Sequence, residues 1–553
     1  MELMDGYLQR CKMPDFVSFF ANKQRSQNLI KQSINHHCSR TNCENTMTLA
    51  FVKCTGAEAV LVRRAQNLMT FNSGVEIQNS NVHKLLAKSE NNSKTTIIQV
   101  NLEIAMKLNY QQSLKNFSEA FSLSKEETSK GKEYIPGGFS RRTFGYGPHA
   151  IFVDKGEAQY LHTIEGKKLL DLNNNFATNV LGHNHPAIIK AIQETLPNGF
   201  SFGNPTNHEL DLAKLICERI DSVEQVKFFC SASEACLSAV RIARGYTARK
   251  KIAKFEGGYH GFSDDLAISA HPNPNNFPGP DSNPKALPDS DGIPAYKSDN
   301  VIVLTQNDFE SCEKILRGNA DEIACLIMEL QTCAGGIVEL DKTFVQKLRA
   351  LTKELGILLI ADETITLRAN FKGLQSEYQI KPDLTVLGKM IGGGLPIGAV
   401  GGSKEVFRVI EENQVMISGT HHGHPLACAA GIACLKAMDE KAYARLNEMA
   451  AKIKSELNTW AKESKYPFTV FGSFSVFAYA FTKELGQTIN THRDYWHKID
   501  ENSMSIYALE MATRGYYPVH RGQVGLTLPM TDDDVDGYIE TTKDIIRLIY
   551  AKD

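Results

Sequence analysis

Two side chains in this sequence stand where charge and carbonyl chemistry could meet. Asp362 closes the apolar run Ile357-Leu358-Leu359-Ile360-Ala361, and Lys389 follows the run Leu384–Leu387 after one glycine. A carboxylate at the end of a buried strand is costly unless it is paired. A protonated ring nitrogen is a suitable partner, because an ionised acid keeps it charged and lets the ring accept electrons. A desolvated lysine has a lowered pKa and can condense with an aldehyde. The glycines Gly392, Gly393 and Gly394 let backbone come close to a ligand there. Taken singly, Asp362 is as easily an exposed acid past the strand end, and Lys389 a solvated loop residue.

Upstream, Cys230-Ser231-Ala232-Ser233-Glu234 follows the apolar stretch Val226–Phe229. Ser231 and Glu234 have capping-box spacing, so a helix should start here. Cys236, Val240 and Ala243 then share one face of it. Free N–H groups at such a start hold phosphates, although a purely structural cap is the commoner case. Glu256-Gly257-Gly258-Tyr259-His260-Gly261 follows another apolar stretch and could present Tyr259 as a stacking platform for a flat ring. On this segment alone a packed core tyrosine is the favoured reading. The strength lies in the set: a phosphate-type start, an acid and a lysine at strand ends, in one chain.

These residues need a sheet to position them. Short apolar runs recur at Val226–Phe229, Ile252–Phe255, Val301–Leu304, Ala324–Met328, Ile357–Ile360, Leu384–Leu387 and Ile397–Val400, with helical stretches such as Ser233–Arg249 and Lys342–Leu355 between them. This alternation predicts an α/β fold with a mostly parallel sheet covered on both faces. Ligands of such sheets sit beyond the carboxyl ends of the strands. Residues 262–299, rich in Pro, Asn, Asp and Gly, break the pattern; a lid or binding loop and a disordered insertion are equally compatible with them.

The chain of 553 residues is large enough for at least two lobes, and its formal net charge of -2 leaves no globally basic surface for nucleic acid. No apolar run approaches the roughly 20 residues that span a bilayer, and no leader pattern is seen, so a cytoplasmic protein is expected. Twelve scattered cysteines suit reduced thiols. His36, His37, Cys38 and Cys43 cluster, but their spacing fits no zinc pattern, and no metal is expected. Residues 1–120 are polar, carry the runs Thr48–Cys54 and Thr95–Val100 as possible short strands, and read as an N-terminal extension.

From Ile135 to about Ile546 the chain resembles the subgroup III (ω-type) pyridoxal-phosphate (PLP) dependent aminotransferases, in the branch of glutamate-1-semialdehyde aminomutase and the β-amino-acid aminotransferases. The matching segments include IPGGFSRR, VLGHNHPAI, CSASEACLSAVRIARGYTARKKIAKFEGGYHG, LLIADE, DLTVLGKMIGGGLPIGAVGG and SGTHHGHPLACAAGIA. The resemblance implies the aspartate-aminotransferase fold, with a large domain at about 186–435 and a small lobe from about 121–185 and 436–553. It makes Lys389 the Schiff-base lysine and Asp362 the partner of the pyridine nitrogen. Ser231, Ala232 and Ser233 would cradle the phosphate, Tyr259 would stack on the ring, and Thr420 would reach the phosphate of a neighbouring subunit in a homodimer. Arg142, and more weakly Arg521, would read a substrate carboxylate. Ala232 stands where relatives usually have glycine, and Thr364, against the ring, where they have valine. The implied activity is transamination between a small amine, a β-amino acid among the candidates, and a keto or aldehyde acceptor. An intramolecular aminomutase is the alternative, favoured by LPDSDGIPA in the long loop, and a non-catalytic module is a distant third.

Overall fold

All seven expected runs form strands of one sheet: β1 (Gln225–Phe229), β2 (Lys251–Phe255), β3 (Val301–Leu304), β4 (Ile323–Met328), β5 (Leu358–Asp362), β6 (Leu384–Gly388) and β7 (Gly398–Gly402). The computed structural model describes residues 46–51, 98–103, 107–141, 148–275, 277–333, 336–519 and 521–551. The strand order is β1-β7-β6-β5-β4-β2-β3, and β7 alone runs against its neighbours. Every residue of β4, β5, β6 and β7 is buried, which is why these strands read as unbroken apolar runs and do not alternate.

Successive side chains nevertheless serve two different cores. Ile252, Ile327, Leu358 and Ile360 pack with Cys236, Ala239, Val240 and Ala243 of helix α1 (Ala232–Thr247). Their neighbours Ala253, Leu326 and Leu359 face the other way, onto Phe344, Val345 and Leu348 of helix α2 (Lys342–Glu354). Period-two alternation thus distributes one sheet between two covering layers.

Beside this sheet, strands Val153–Glu157, Tyr160–Thr163 and Lys168–Asp171 form a second one, completed by Tyr516–Tyr517 from the far end of the chain. Residues Leu108–Ile549 make up one compact unit. The boundary expected near residue 120 therefore moves to Leu108, because helix Tyr110–Ala120 belongs to this unit's core. Phe117 and Phe121 pack there on Ile151, Leu161, Leu169, Leu509 and Tyr517, and Ser113 donates to Glu510 at 2.7 Å. Ser113, Phe117 and Phe121 form a fully buried stripe at i, i+4 and i+8, with Tyr110, Leu114 and Ala120 partly buried beside it; the polar residues between them hid it. The separate N-terminal unit contains strands Thr46–Phe51 and Ile98–Glu103, paired antiparallel with Thr46 opposite Glu103. The His36–Cys43 cluster lies outside the described residues.

The long irregular segment is tied down. Ser269 N–H donates to Leu287 O at 2.7 Å, Asp289 N–H to Ala267 O at 3.0 Å, and buried Lys254 of β2 donates to Ile268 O at 2.6 Å. From helix α3 (His492–Lys498), buried Arg493 donates to Pro278 O, Gly279 O and Asp281, and forks onto Glu256 at 2.7 and 3.0 Å. One arginine thereby fixes both the loop and the segment that leads to Tyr259.

Candidate active site

Parallel pairing of β5 with β6 sets Asp362 opposite Val386, so the two strands deliver Asp362 and, three residues beyond Val386, Lys389 to the same sheet edge. Asp362 is 4% exposed. Its Oδ2 accepts from His260 Nδ1 at 2.9 Å and from Cys236 Sγ at 3.5 Å; its Oδ1 accepts the Thr364 N–H at 3.1 Å. Burial works to raise this acid, but the His260 hydrogen bond, helped by Thr364, outweighs it and holds the carboxyl below its usual range. Burial also depresses His260, so the neutral ring donates through Nδ1–H.

Lys389 has a left-handed backbone (φ 50°), a conformation lysine adopts at a cost. Burial pushes its ammonium below the ordinary lysine value, against the pull of Asp362. A third group, missed in the sequence, completes the cluster. Glu329 follows β4, accepts the Tyr259 N–H at 3.3 Å, and is pushed up to about 8 by burial and by the charge of Asp362. The signal for it was present: an acid directly after the apolar run Ala324–Met328, the same pattern that marked Asp362.

The capping box forms one residue out of register. Ser231 Oγ accepts the Glu234 N–H at 3.2 Å, while the Glu234 carboxylate accepts from Cys230 N–H at 2.8 Å. Glycines admit the helix start to the sheet edge. A Cβ on Gly398 would lie 2.1 Å from Ser231 O, and one on Gly261 would lie 2.7 Å from Ser233 Oγ. On Gly388 it would meet Ala232 Cβ at 2.9 Å and Thr364 Cγ2 at 3.3 Å, so Ala232, Thr364 and Gly388 share one wall. Thr364 keeps a buried hydroxyl without a hydrogen-bond partner among the described residues. Tyr259 is partly exposed beside His271, ring centroids 5.7 Å apart.

Arg142 lies outside the described residues. Its neighbour Arg141 donates to Asn175 Oδ1 at 2.5 Å and sits 4.9 Å over the Phe176 ring. Its charge lowers the pKa of Tyr259, which ties it to the site, though burial remains the larger influence and raises that phenol. The sequence reading had passed over Arg141. Asn174, Asn175, Phe176 and Ala177 form a left-handed turn, with φ between 52° and 66°. Arg521 is half-buried, which lowers its pKa, and its carbonyl accepts from Tyr495 at 2.8 Å. Thr420 is exposed on the loop before helix Pro425–Ala437 and takes no part in the Asp362 hydrogen bonds.

A buried acid kept ionised, a lysine kept ready to lose its proton and a helix start opened by glycines suit a flat, cationic, phosphorylated ring aldehyde. Fold and donor set together define the class of PLP-dependent enzymes of fold type I. The chain matches the family model "Aminotransferase class-III" over residues 143–513, and it belongs to that family. It is therefore a PLP enzyme. It is 36% identical over 422 residues to glutamate-1-semialdehyde 2,1-aminomutase 2 of Brevibacillus brevis, covering 75% of this chain and 96% of the relative. An ω-transaminase from Sphaerobacter thermophilus superposes with TM-score 0.73 at 30% identity, covering 77% of this chain and 97% of the other. A β-phenylalanine aminotransferase from Variovorax paradoxus gives TM-score 0.70 at 28% identity, covering 78% and 95%.

Proposed function

We propose that this enzyme moves an amino group from a small carboxylate-bearing amine to a keto or aldehyde acceptor, with Lys389 and Asp362 as the catalytic pair. The observation that carries this reading is their pairing at neighbouring strand ends, one acid held ionised and one lysine held below its ordinary pKa. PLP, when bound, supplies the aldehyde and an electron-accepting ring. Lys389 would hold the aldehyde and, with its lowered proton affinity, would carry the substrate proton. Asp362 keeps the ring nitrogen protonated. The start of α1, at Ser231, Ala232 and Ser233, takes the phosphate, with Tyr259 and Thr364 against the ring. Thr420, exposed in the single chain, serves the phosphate site of a second copy, which makes the enzyme a homodimer. Arg141, Arg142 and Arg521 are the cations available to a substrate carboxylate, and arginine's planar fork suits that group.

A β-amino acid fits as donor, supported by the likeness to the Variovorax enzyme. The reaction belongs in the cytoplasm; eight described cysteines are all free thiols, and none of the described helices is long and apolar enough to cross a membrane. A second reading, an intramolecular aminomutase, is favoured by the 36% identity to the Brevibacillus protein and by the tethered loop after Tyr259. Incubating the holoenzyme with one amine, with and without an acceptor, separates them. Transamination requires the second substrate, whereas full conversion of an amino-aldehyde acid alone would establish the aminomutase.

A further inference from the structure

Asp362 divides its hydrogen bonds unevenly between its two oxygens. Oδ2 takes two side-chain donors, His260 Nδ1 at 2.9 Å and Cys236 Sγ at 3.5 Å, whereas Oδ1 takes only the Thr364 N–H at 3.1 Å. An ionised carboxylate oxygen accepts about two good hydrogen bonds, so Oδ2 is filled and Oδ1 retains capacity. Cys236 lies in the second turn of α1, on the face that packs against the sheet, and is 1% exposed. Burial, with the charge of Asp362, pushes its thiol well above the ordinary cysteine value, so it remains a donor at all working pH.

We infer that Cys236 is a positioning residue: its S–H joins His260 in saturating Oδ2, which fixes the carboxylate and leaves Oδ1 as the oxygen offered to a ring N–H. This rests on the role proposed above for Asp362. The helix that begins at the phosphate-type cap would then also orient the acid one turn later, joining two contacts of the cofactor through a single rigid element. The alternative is a buried cysteine acting only as a small apolar filler. The two readings part on what replaces it, since serine keeps a donor while alanine and valine do not.

The test compares Cys236→Ser, Cys236→Ala and Cys236→Val. In the apoenzyme, carboxyl-labelled aspartate followed by NMR, with Asp362→Asn identifying the resonance, reports the titration of Asp362 among the groups that face it. These are His260 and Cys236, with Glu329, Lys389, Cys333 and Tyr259 also within electrostatic reach. Losing one donor to the ionised form should raise the Asp362 titration in the alanine and valine variants and leave it near wild type in the serine variant. In the holoenzyme, kcat should fall about two- to tenfold for alanine and valine with KM little changed, and recover with serine. An Asp362 titration unmoved by alanine and valine, or moved equally by serine, overturns the inference. If the apoenzyme titration shifts as expected while no variant changes turnover, Cys236 sets the proton affinity of Asp362 without positioning it for the reaction, and the inference falls; Asp362→Asn tests the role of Asp362 itself.

Discussion

At the ends of β4, β5 and β6, Glu329, Asp362 and Lys389 leave regular, fully buried strands, whereas Arg141 leans on a turn whose four residues all have left-handed backbone. Left-handed backbone costs L-residues about 1–2 kcal/mol each, less for asparagine, so Phe176 and Ala177 carry most of that strain. Buried contacts hold the turn in place. Asp171 accepts from the N–H groups of Asn173 and Asn174, Asn173 accepts the Phe176 N–H at 2.7 Å, and Arg368 donates to Ala177 O at 3.1 Å. The Asn174 amide also reaches Gly525 O, from the C-terminal part of the chain. The difference teaches a division of labour. On the roles proposed above, groups needing a fixed charge state stand on the sheet, and the cation offered to a substrate carboxylate stands on a strained loop held partly by distant segments.

On this division, changes at the sheet edge should abolish chemistry and changes at the turn should alter selectivity. Lys389→Ala should eliminate turnover together with the visible absorbance of the lysine–cofactor adduct. Borohydride-trappable cofactor at wild-type activity in that variant would remove the sheet edge from the comparison altogether. Asp362→Asn should retain the fold and lose on the order of 10²-fold in kcat, the scale of other preorganised charge effects. Near-normal kinetics there would leave the ring nitrogen without its assigned partner.

The same contrast explains what was legible in advance. Asp362, Lys389 and the Ser231 cap follow apolar runs, so the pattern of burial points at them, and all seven strands were found within two residues. Glu329 obeys the same rule, but an acid after an apolar run does not by itself say what chemistry it serves. The turn Asn174–Ala177 has no such signature, since its shape depends on Arg368 and Gly525, far away in sequence, as well as on nearby Asp171. Helix Tyr110–Ala120 shows the same limit at the fold level. Its core-facing residues are interrupted by polar ones, so the sequence alone joins it to the N-terminal extension, and only tertiary packing reveals where it belongs.

That helix gives a direct measure of how far the sheet depends on outlying segments. Deleting residues 1–107 should leave a folded, cofactor-binding enzyme, because Leu108–Ile549 has its own core. Deleting residues 1–120 also removes Phe117, fully buried, and a core phenylalanine alone is worth about 3–5 kcal/mol. The longer deletion should therefore melt at clearly lower temperature or fail to stay soluble. Equal thermal stability of the two truncations would mean that the first helix adds nothing to the core.

At the turn, Arg141→Ala should raise KM for carboxylate-bearing donors about ten- to a hundredfold, the loss of one charge-assisted pair, and affect amines without a carboxylate far less. Arg142→Ala made alongside it decides which of the two arginines reads the acid. If both variants lose the two donor types equally, the turn is structural and the comparison with the sheet edge collapses.

The smallest expected effect belongs to Glu329, where the sheet edge holds a group out of its usual charge state. Its folded pKa, pushed up to about 8, lies above that of an ordinary glutamate, so between those values the folded apoenzyme binds a proton that the unfolded chain has released. Stability from this group is therefore complete at low pH and is lost as pH rises through about 8. Glutamine imitates the protonated acid at every pH. The apoenzyme and its Glu329→Gln variant should differ least below about pH 4, and the wild type should fall progressively below the variant as pH climbs from there to about 8, above which the gap stays constant. Parallel melting curves across that range would mean that Glu329 is ionised in the folded protein. Asp362 would then share the edge with a second full negative charge, which would pull the Lys389 ammonium back toward its ordinary value against the effect of burial.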